Sequence, residues 1–369
     1  MRRSLAALVA LAAACSDSGD VVAPDAPADA PGVVPDAPPA PPDALACGDA
    51  CVAAGGACET ATDTCVFDCS AYTACATQVV CPPGVPCRVG CGQEACAGGI
   101  DCTMAASCDL TCSGFGSCDG PVLCAGDDCV ARCLNQDTCA MGIESSAART
   151  VATCSGSASC AGPVSCQGQA CQVTCGDNAC AGGVTSAASG MADIDCSGYR
   201  ACLPGVSCGG TECSIQCGQS ACAGPVASQA SAMTTIACTG SGGCTAGVSC
   251  GGATCAVTCG AMACRGVASV AGTTTILCEG MSACPIGDLT CAGQDCTVGC
   301  TGYDACGGRV TSTASGTTMI GCTGGDTCDG RVTCGGTSCA IDCSGSLACW
   351  ADACCTAVTC DLTAVIDQC

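Results

Sequence analysis

Cysteine returns along this chain with a fixed period. From Cys69 onward, a cysteine pair enclosing four or five residues recurs at Cys91, Cys112, Cys133, Cys154, Cys175, Cys196, Cys217, Cys238, Cys259, Cys278, Cys300, Cys322 and Cys343. Nine of the 13 spacings between these starts are 21 residues and the rest run from 19 to 22, so the period belongs to a structure rather than to composition. Units this short cannot bury an apolar face alone; they specify a stack.

Two kinds of repeat alternate through most of the array. The copy CSGSASCAGPVSCQGQACQVT, from Cys154 to Thr174, holds cysteines at places 1, 7, 13 and 18. The copy CGDNACAGGVTSAASGMADID, from Cys175 to Asp195, keeps only the first pair. Places 13 and 18 lose cysteine together in the copies beginning at Cys133, Cys175, Cys217, Cys259 and Cys300. Joint loss points to local bridges within each pair, a scheme that leaves no orphan in either kind of copy. The expected bridges are then Cys154 with Cys160, Cys166 with Cys171, Cys175 with Cys180, Cys196 with Cys202, Cys208 with Cys213, Cys217 with Cys222, Cys238 with Cys244, Cys250 with Cys255, and Cys259 with Cys264. The alternative joins like places in neighbouring coils, which stacked strands bring to about 4.8 Å.

Between the cysteines an apolar-x-Cys pattern recurs, as in Val164-Ser165-Cys166, Val173-Thr174-Cys175 and Ile215-Gln216-Cys217. A period of two puts the β-branched residue and the cysteine on one face of a strand. Two such strands per repeat, separated by Gly-rich turns, make a coil. The expected fold is therefore all-β, a disulfide-rich parallel β-solenoid with coils of about 21 residues. Fourteen coils at about 4.8 Å each give a rod roughly 65 Å long, wound right-handed by default. A string of separate cysteine knots is the alternative; a copy with one bridge in 21 residues would struggle to fold alone.

Composition supports a thin, crosslinked interior. Of 369 residues 53 are Cys and only 2% are aromatic, so sulfur rather than bulky rings must hold the core. Thiols at this density persist as disulfides in oxidising surroundings, which places the chain outside the cytoplasm. Metal storage is a minor alternative, because the chain has no His and its cysteines are not spaced as closely as typical metal-ligand pairs. Acids outnumber bases 32 to 9 and none of the bases is Lys, which argues against nucleic acid as a partner. Triads and Schiff bases lose their usual residues for the same reason. Carboxylate pairs such as Asp127-Asp128 and Asp193 with Asp195 are expected to be solvated turn or strand residues, and Arg200, Arg265, Arg309 and Arg331 stand singly. Cys354-Cys355 is expected to be structural. No catalytic residue, metal ligand or cofactor is assigned.

The ends differ from the array. Arg2 and Arg3 precede the apolar run LAALVALAAA, Leu5 to Ala14, as in a secretory signal, residues 1–14. Cys15 and the Asp, Ala and Pro stretch that follows, residues 15–46, read as an attachment point and a disordered spacer, since 8 of the 16 prolines fall there. In extended form it could reach roughly 90 Å at about 3.1 Å per residue. Residues 47–68, with Cys47, Cys51, Cys58 and Cys65, are expected to form a small cap; residues 69–348 form the solenoid; residues 349–369, with the sole Trp, a second cap.

The junction Leu11-Ala12-Ala13-Ala14-Cys15 resembles the lipobox of bacterial lipoproteins, with Leu one place further from the Cys than is usual in that family. The resemblance implies lipidation of Cys15, a membrane lipid as partner and an outer-membrane or cell-surface location; simple secretion is the alternative. Parity agrees, because removing Cys15 leaves an even 52 cysteines. The Cys-Gly repeats resemble cysteine-rich repeat regions of uncharacterised myxobacterial surface lipoproteins. Cys238-Thr-Gly-Ser-Gly-Gly-Cys244 also resembles the coil motif of insect β-helical antifreeze proteins, but that family's Thr-x-Thr ladder is not sustained here. The functional expectation is a non-catalytic, surface-anchored structural or adhesin-like scaffold with a glycan or cell-surface ligand. A β-helix enzyme acting on polysaccharide is the alternative, with metal or ice binding behind it.

Overall fold

A computed structural model describes residues 47–363. Residues 1–46, which hold the expected signal, Cys15 and the Pro-rich stretch, and the last six residues lie outside the described residues. The described chain is almost wholly β. It begins with a short helix α1 (Cys47–Ala53) and an antiparallel hairpin of β1 (Ala57–Glu59) and β2 (Thr64–Cys69). Bridges Cys47–Cys58 and Cys51–Cys65 tie α1 to that hairpin. From β2 onward every strand pairing among the described residues is parallel, and each strand pairs with its equivalent one coil away.

Two sheets result. Long strands, typified by Ala170–Cys175, stack into a sheet of 16 with the hairpin at its edge; short strands, typified by Val164–Cys166, stack into a sheet of 14. The chain switches sheet at every turn, so no connection crosses another. The parallel β-solenoid anticipated from the 21-residue period is the fold. Its register keeps like with like: Cys154 faces Cys175, and Val164 has Ile143 on one side and Val184 on the other.

Alternation sorts each strand. In Ala170–Cys175 the buried residues are Cys171, Val173 and Cys175, and Ala170, Gln172 and Thr174 point outward. Repeated coil after coil, this gives one aliphatic ladder on the long strands, through Ile194, Ile215, Ile236 and Val257, and a second on the short strands, through Val164, Val184, Val206 and Val226. Each such side chain contributes about 1.5–3 kcal/mol on full burial. Because the two sheets face each other across single residues, no room remains for aromatic rings; Phe67, in β2 of the first coil, is the only buried one.

Close stacking also explains the glycines of the turns. A Cβ on Gly168 would stand 1.7 Å from the backbone oxygen of Ala147 in the coil before, and one on Gly156 would stand 2.0 Å from that of Asn135. These contacts are with backbone, which cannot swing aside, so the coils reach strand spacing at their corners only without a side chain there.

The last segment is more regular than its cysteine spacing suggests. Strands Ala353–Cys355 and Thr359–Thr363 extend both sheets, and Cys355–Cys360 is the bridge between places 13 and 18 of the copy that begins at Cys343. Cys354, the extra sulfur, is also disulfide-bonded.

Candidate binding ridge and cleft

The cysteines of the array are joined locally. Cys154 is bonded to Cys160, Cys166 to Cys171, Cys175 to Cys180, Cys196 to Cys202, Cys208 to Cys213 and Cys217 to Cys222. Cys238 is bonded to Cys244, Cys250 to Cys255 and Cys259 to Cys264. Neighbouring coils bring further sulfurs close, as in Cys91, Cys112 and Cys118, whose Sγ atoms lie within 4.8 Å of one another. A disulfide sulfur is not the thiolate that metals require, so these clusters are spacer contacts in the oxidised chain. Disulfides in this number belong to an oxidising environment. No helix among the described residues is long and apolar enough to cross a membrane.

Where a copy lacks places 13 and 18, a hydrogen bond stands in for the bridge. Ser145 and Thr150 meet Oγ to Oγ at 2.7 Å, Ser228 and Thr234 at 2.7 Å, Ser269 and Thr274 at 2.6 Å, and Ser312 and Thr318 at 2.7 Å, all buried. The register confirms the equivalence, since Ser228 lies between Cys208 and Cys250 and Thr234 between Cys213 and Cys255. Only the copy at Cys175 departs, with Ser186 opposite Ala192. Thr234→Val should therefore lower stability by about 1 kcal/mol, because Ser228 Oγ keeps the N–H of Ala230 but loses the partner of its own hydroxyl, read as an earlier guanidinium midpoint. Ser228→Cys with Thr234→Cys should form a bridge and move the midpoint the other way. A midpoint unmoved by the valine would discount the pair.

The turn between the first two cysteines of each copy is the most distinctive outer feature. The second cysteine, from Cys75 to Cys349, has φ between 49° and 56° in all 14 copies, and the residue two places before it is also left-handed. Two left-handed residues so close fold the chain into a sharp corner at a local strain of about 1–2 kcal/mol for each non-glycine residue. Hydrogen bonds in both directions hold it: Glu94 N–H donates to Phe115 O in the next coil at 2.9 Å, and Cys96 N–H donates to Ala74 O in the previous coil at 2.9 Å. The corner is rigid, and the residue three places before the cysteine points out from it.

That place forms a ridge along the solenoid. It holds all three tyrosines of the chain, Tyr72, Tyr199 and Tyr303, together with Phe115 and Met281, all exposed. Gln93, Gln136 and Gln219 occupy it in other coils. Tyr72 Oη donates to Glu94 Oε2 in the next coil at 2.7 Å, and this bond raises the phenol pKa above its usual value. Tyr303 makes the same bond to Asp326, also one coil on, with the same effect. In each case the acid occupies the left-handed place beside the ridge.

At the C-terminal end the ridge opens into a cleft of about 510 Å³ lined by Tyr303, Asp304, Asp326, Asp329, Leu347 and Trp350. The Tyr303 ring reaches over Gly325, where an added Cβ would meet it at 3.2 Å. Asp304 and Asp326 are fixed by their corners: Asp304 N–H donates to Gly325 O at 2.9 Å and Asp326 N–H to Ser346 O at 2.8 Å. Three carboxylates and two exposed aromatic rings thus face one space with no arginine in its wall.

The carboxylate pairs and lone arginines singled out in the sequence do not assemble. Asp128 pairs with Arg149 at 2.6 Å, and Asp195 accepts the backbone N–H of Ser197 at 2.9 Å. The other ion pairs among the described residues, Arg88 with Glu59 and Arg132 with Asp109, are exposed and contribute little. Arg200 sits at a left-handed corner, and Arg265 lines a shallow groove with Asp288. Compared with family models, curated proteins and solved structures, the chain matches none.

Proposed function

We propose that the protein is a non-catalytic binding scaffold, exported and held at a bacterial surface through lipid on Cys15, with the solenoid as a rigid rod at the end of the Pro-rich spacer. One observation carries the reading. In a chain with only six aromatic residues, four stand exposed at one repeated turn position instead of filling the core. Solvated rings of this kind supply flat apolar contact with a polar tip, the chemistry that recognises extended, hydroxyl-rich ligands such as glycan chains. The spacing supports it: Tyr72 and Phe115 are two coils apart, about 10 Å at strand spacing, and Tyr199 and Tyr303 are five coils apart. Surface lipoproteins of the cysteine-rich repeat type are the kind of protein this reading describes.

The test is a screen of the purified rod against immobilised polysaccharides and intact cells. Saturable binding without change in polymer length is expected, weakened at least tenfold in a Tyr72→Ala, Phe115→Ala, Tyr199→Ala variant. Shortening of a polymer, abolished by Asp326→Asn, would replace the scaffold with a polysaccharide-cleaving enzyme.

A further inference from the structure

We infer that the cleft between Tyr303 and Trp350 is a subsite for a protonated amino sugar within a glycan chain. The inference rests on the binding-scaffold reading and adds to it the charge of the ligand. Two features of the cleft coincide. Its walls are exposed aromatic and apolar side chains, Tyr303, Trp350 and Leu347, and its polar groups are the carboxylates of Asp304, Asp326 and Asp329. The hydroxyls of a neutral sugar can donate to carboxylates, which only accept, but they bring no charge to offset three of them. An ammonium group only donates, and it is also attracted to the faces of aromatic rings. A hexosamine unites both requirements, with an apolar C–H face for a ring and a cation for the acids.

Among the described residues no cation neutralises the carboxylates. None of the three ion pairs of the described chain involves Asp304, Asp326 or Asp329, and no arginine lines the space. The hydrogen bonds they do accept are from neutral hydroxyls, Ser282 to Asp304 at 2.9 Å and Tyr303 to Asp326. The site is also preformed. Asp304, Asp326 and Leu347 occupy the left-handed place of three consecutive corners, so their spacing is that of the coils and needs no rearrangement on binding. Glycine at position 325 clears the ridge for one coil, which lets the Tyr303 ring lie down and leaves the space open beyond it.

The protein carries its own reporter, because Trp350 is the only tryptophan and borders the cleft. Titrating the oxidised, full-length protein with a glucosamine hexamer should give a saturable change in Trp350 fluorescence. The N-acetylated hexamer and a neutral glucose hexamer should bind at least tenfold more weakly, and Asp326→Asn should lower affinity for the glucosamine hexamer by about tenfold. Added salt should weaken it further. Spermidine and choline separate charge from sugar: either binding as tightly as the hexamer would overturn the inference in favour of a general cation site, as would displacement by calcium alone. Equal binding of neutral and amino hexamers would overturn it too. Glycan binding that survives intact in Trp350→Ala and Asp326→Asn would sink the subsite but leave the scaffold, whereas no binding to any glycan or cell would sink both.

Discussion

Complete reduction of the protein should abolish its β-sheet circular dichroism, and no single substitution should come near that effect. The local bridges close loops of five or six residues, each worth about 2 kcal/mol of chain entropy. A folded domain has a net stability of about 5–15 kcal/mol. Losing a handful of bridges therefore consumes the margin, and the array has one or two in every coil. The Val and Ile ladders favour the stack, but they are one residue deep and are accompanied in the core by Cys and Ala rather than by large side chains. The order of loss follows burial. Most array cysteines are fully buried and out of reach of a reductant, while Cys58, Cys75, Cys349 and Cys360 near the two ends are partly or wholly exposed. In dithiothreitol without denaturant, alkylation followed by mass mapping should find Cys47–Cys58 and Cys355–Cys360 opened first, then coils inward from each end. This is the behaviour of a stack in which each coil is held by its neighbours. Retention of the sheet signal after alkylation of nearly all thiols would show that the aliphatic ladders alone hold the fold.

Sequence made the framework legible because a solenoid converts period directly into contact. A 21-residue spacing tells which residues stack, and apolar-x-Cys tells which face they use, so the pattern alone assigns Val164, Cys166 and Cys171 to the interior. Joint loss of places 13 and 18 carried the pairing as well. Less visible was what replaced those sulfurs. Ser occupies place 13 in Ser145, Ser186, Ser228, Ser269 and Ser312, with Thr at place 18 in four of these copies. Ser and Thr in a Gly-rich segment nevertheless read as loop until burial pairs them. The ridge was hidden for a related reason. Tyr72, Phe115, Tyr199 and Tyr303 each stand three residues after the first cysteine of their copy, but Gln93 and Gln219, in copies whose first pair is one residue closer, join them only when counted back from the second cysteine. The left-handed corner fixes that register, and it is a backbone property that no side-chain pattern announces. Tyr303, Asp326 and Leu347 are far apart in sequence yet adjacent on the rod, because they fall at matching corners of successive coils.

Cys15→Ser should move the whole population of the protein from the membrane fraction to the soluble exported fraction, with its fold intact. Acyl chains contribute about 0.8 kcal/mol per buried CH₂, so two or more of them give stable attachment, and a serine offers no thiol to carry them. Among the described residues no helix is long and apolar enough to cross a bilayer, and the strongly acidic chain, at a formal charge of −23, is repelled by anionic headgroups. The fold should not notice the change, since none of the array bridges uses Cys15 and the solenoid keeps its own partners. Fractionation of cells followed by intact mass measurement reads both halves of the result, the location and the loss of acyl mass. The alternative, secretion with Cys15 left behind or unmodified, predicts no shift at all, because the parent protein would already be soluble. A variant that stayed in the membrane pellet would instead require attachment through the rod itself. The ridge of exposed rings is the surface that would then have to be tested against lipid.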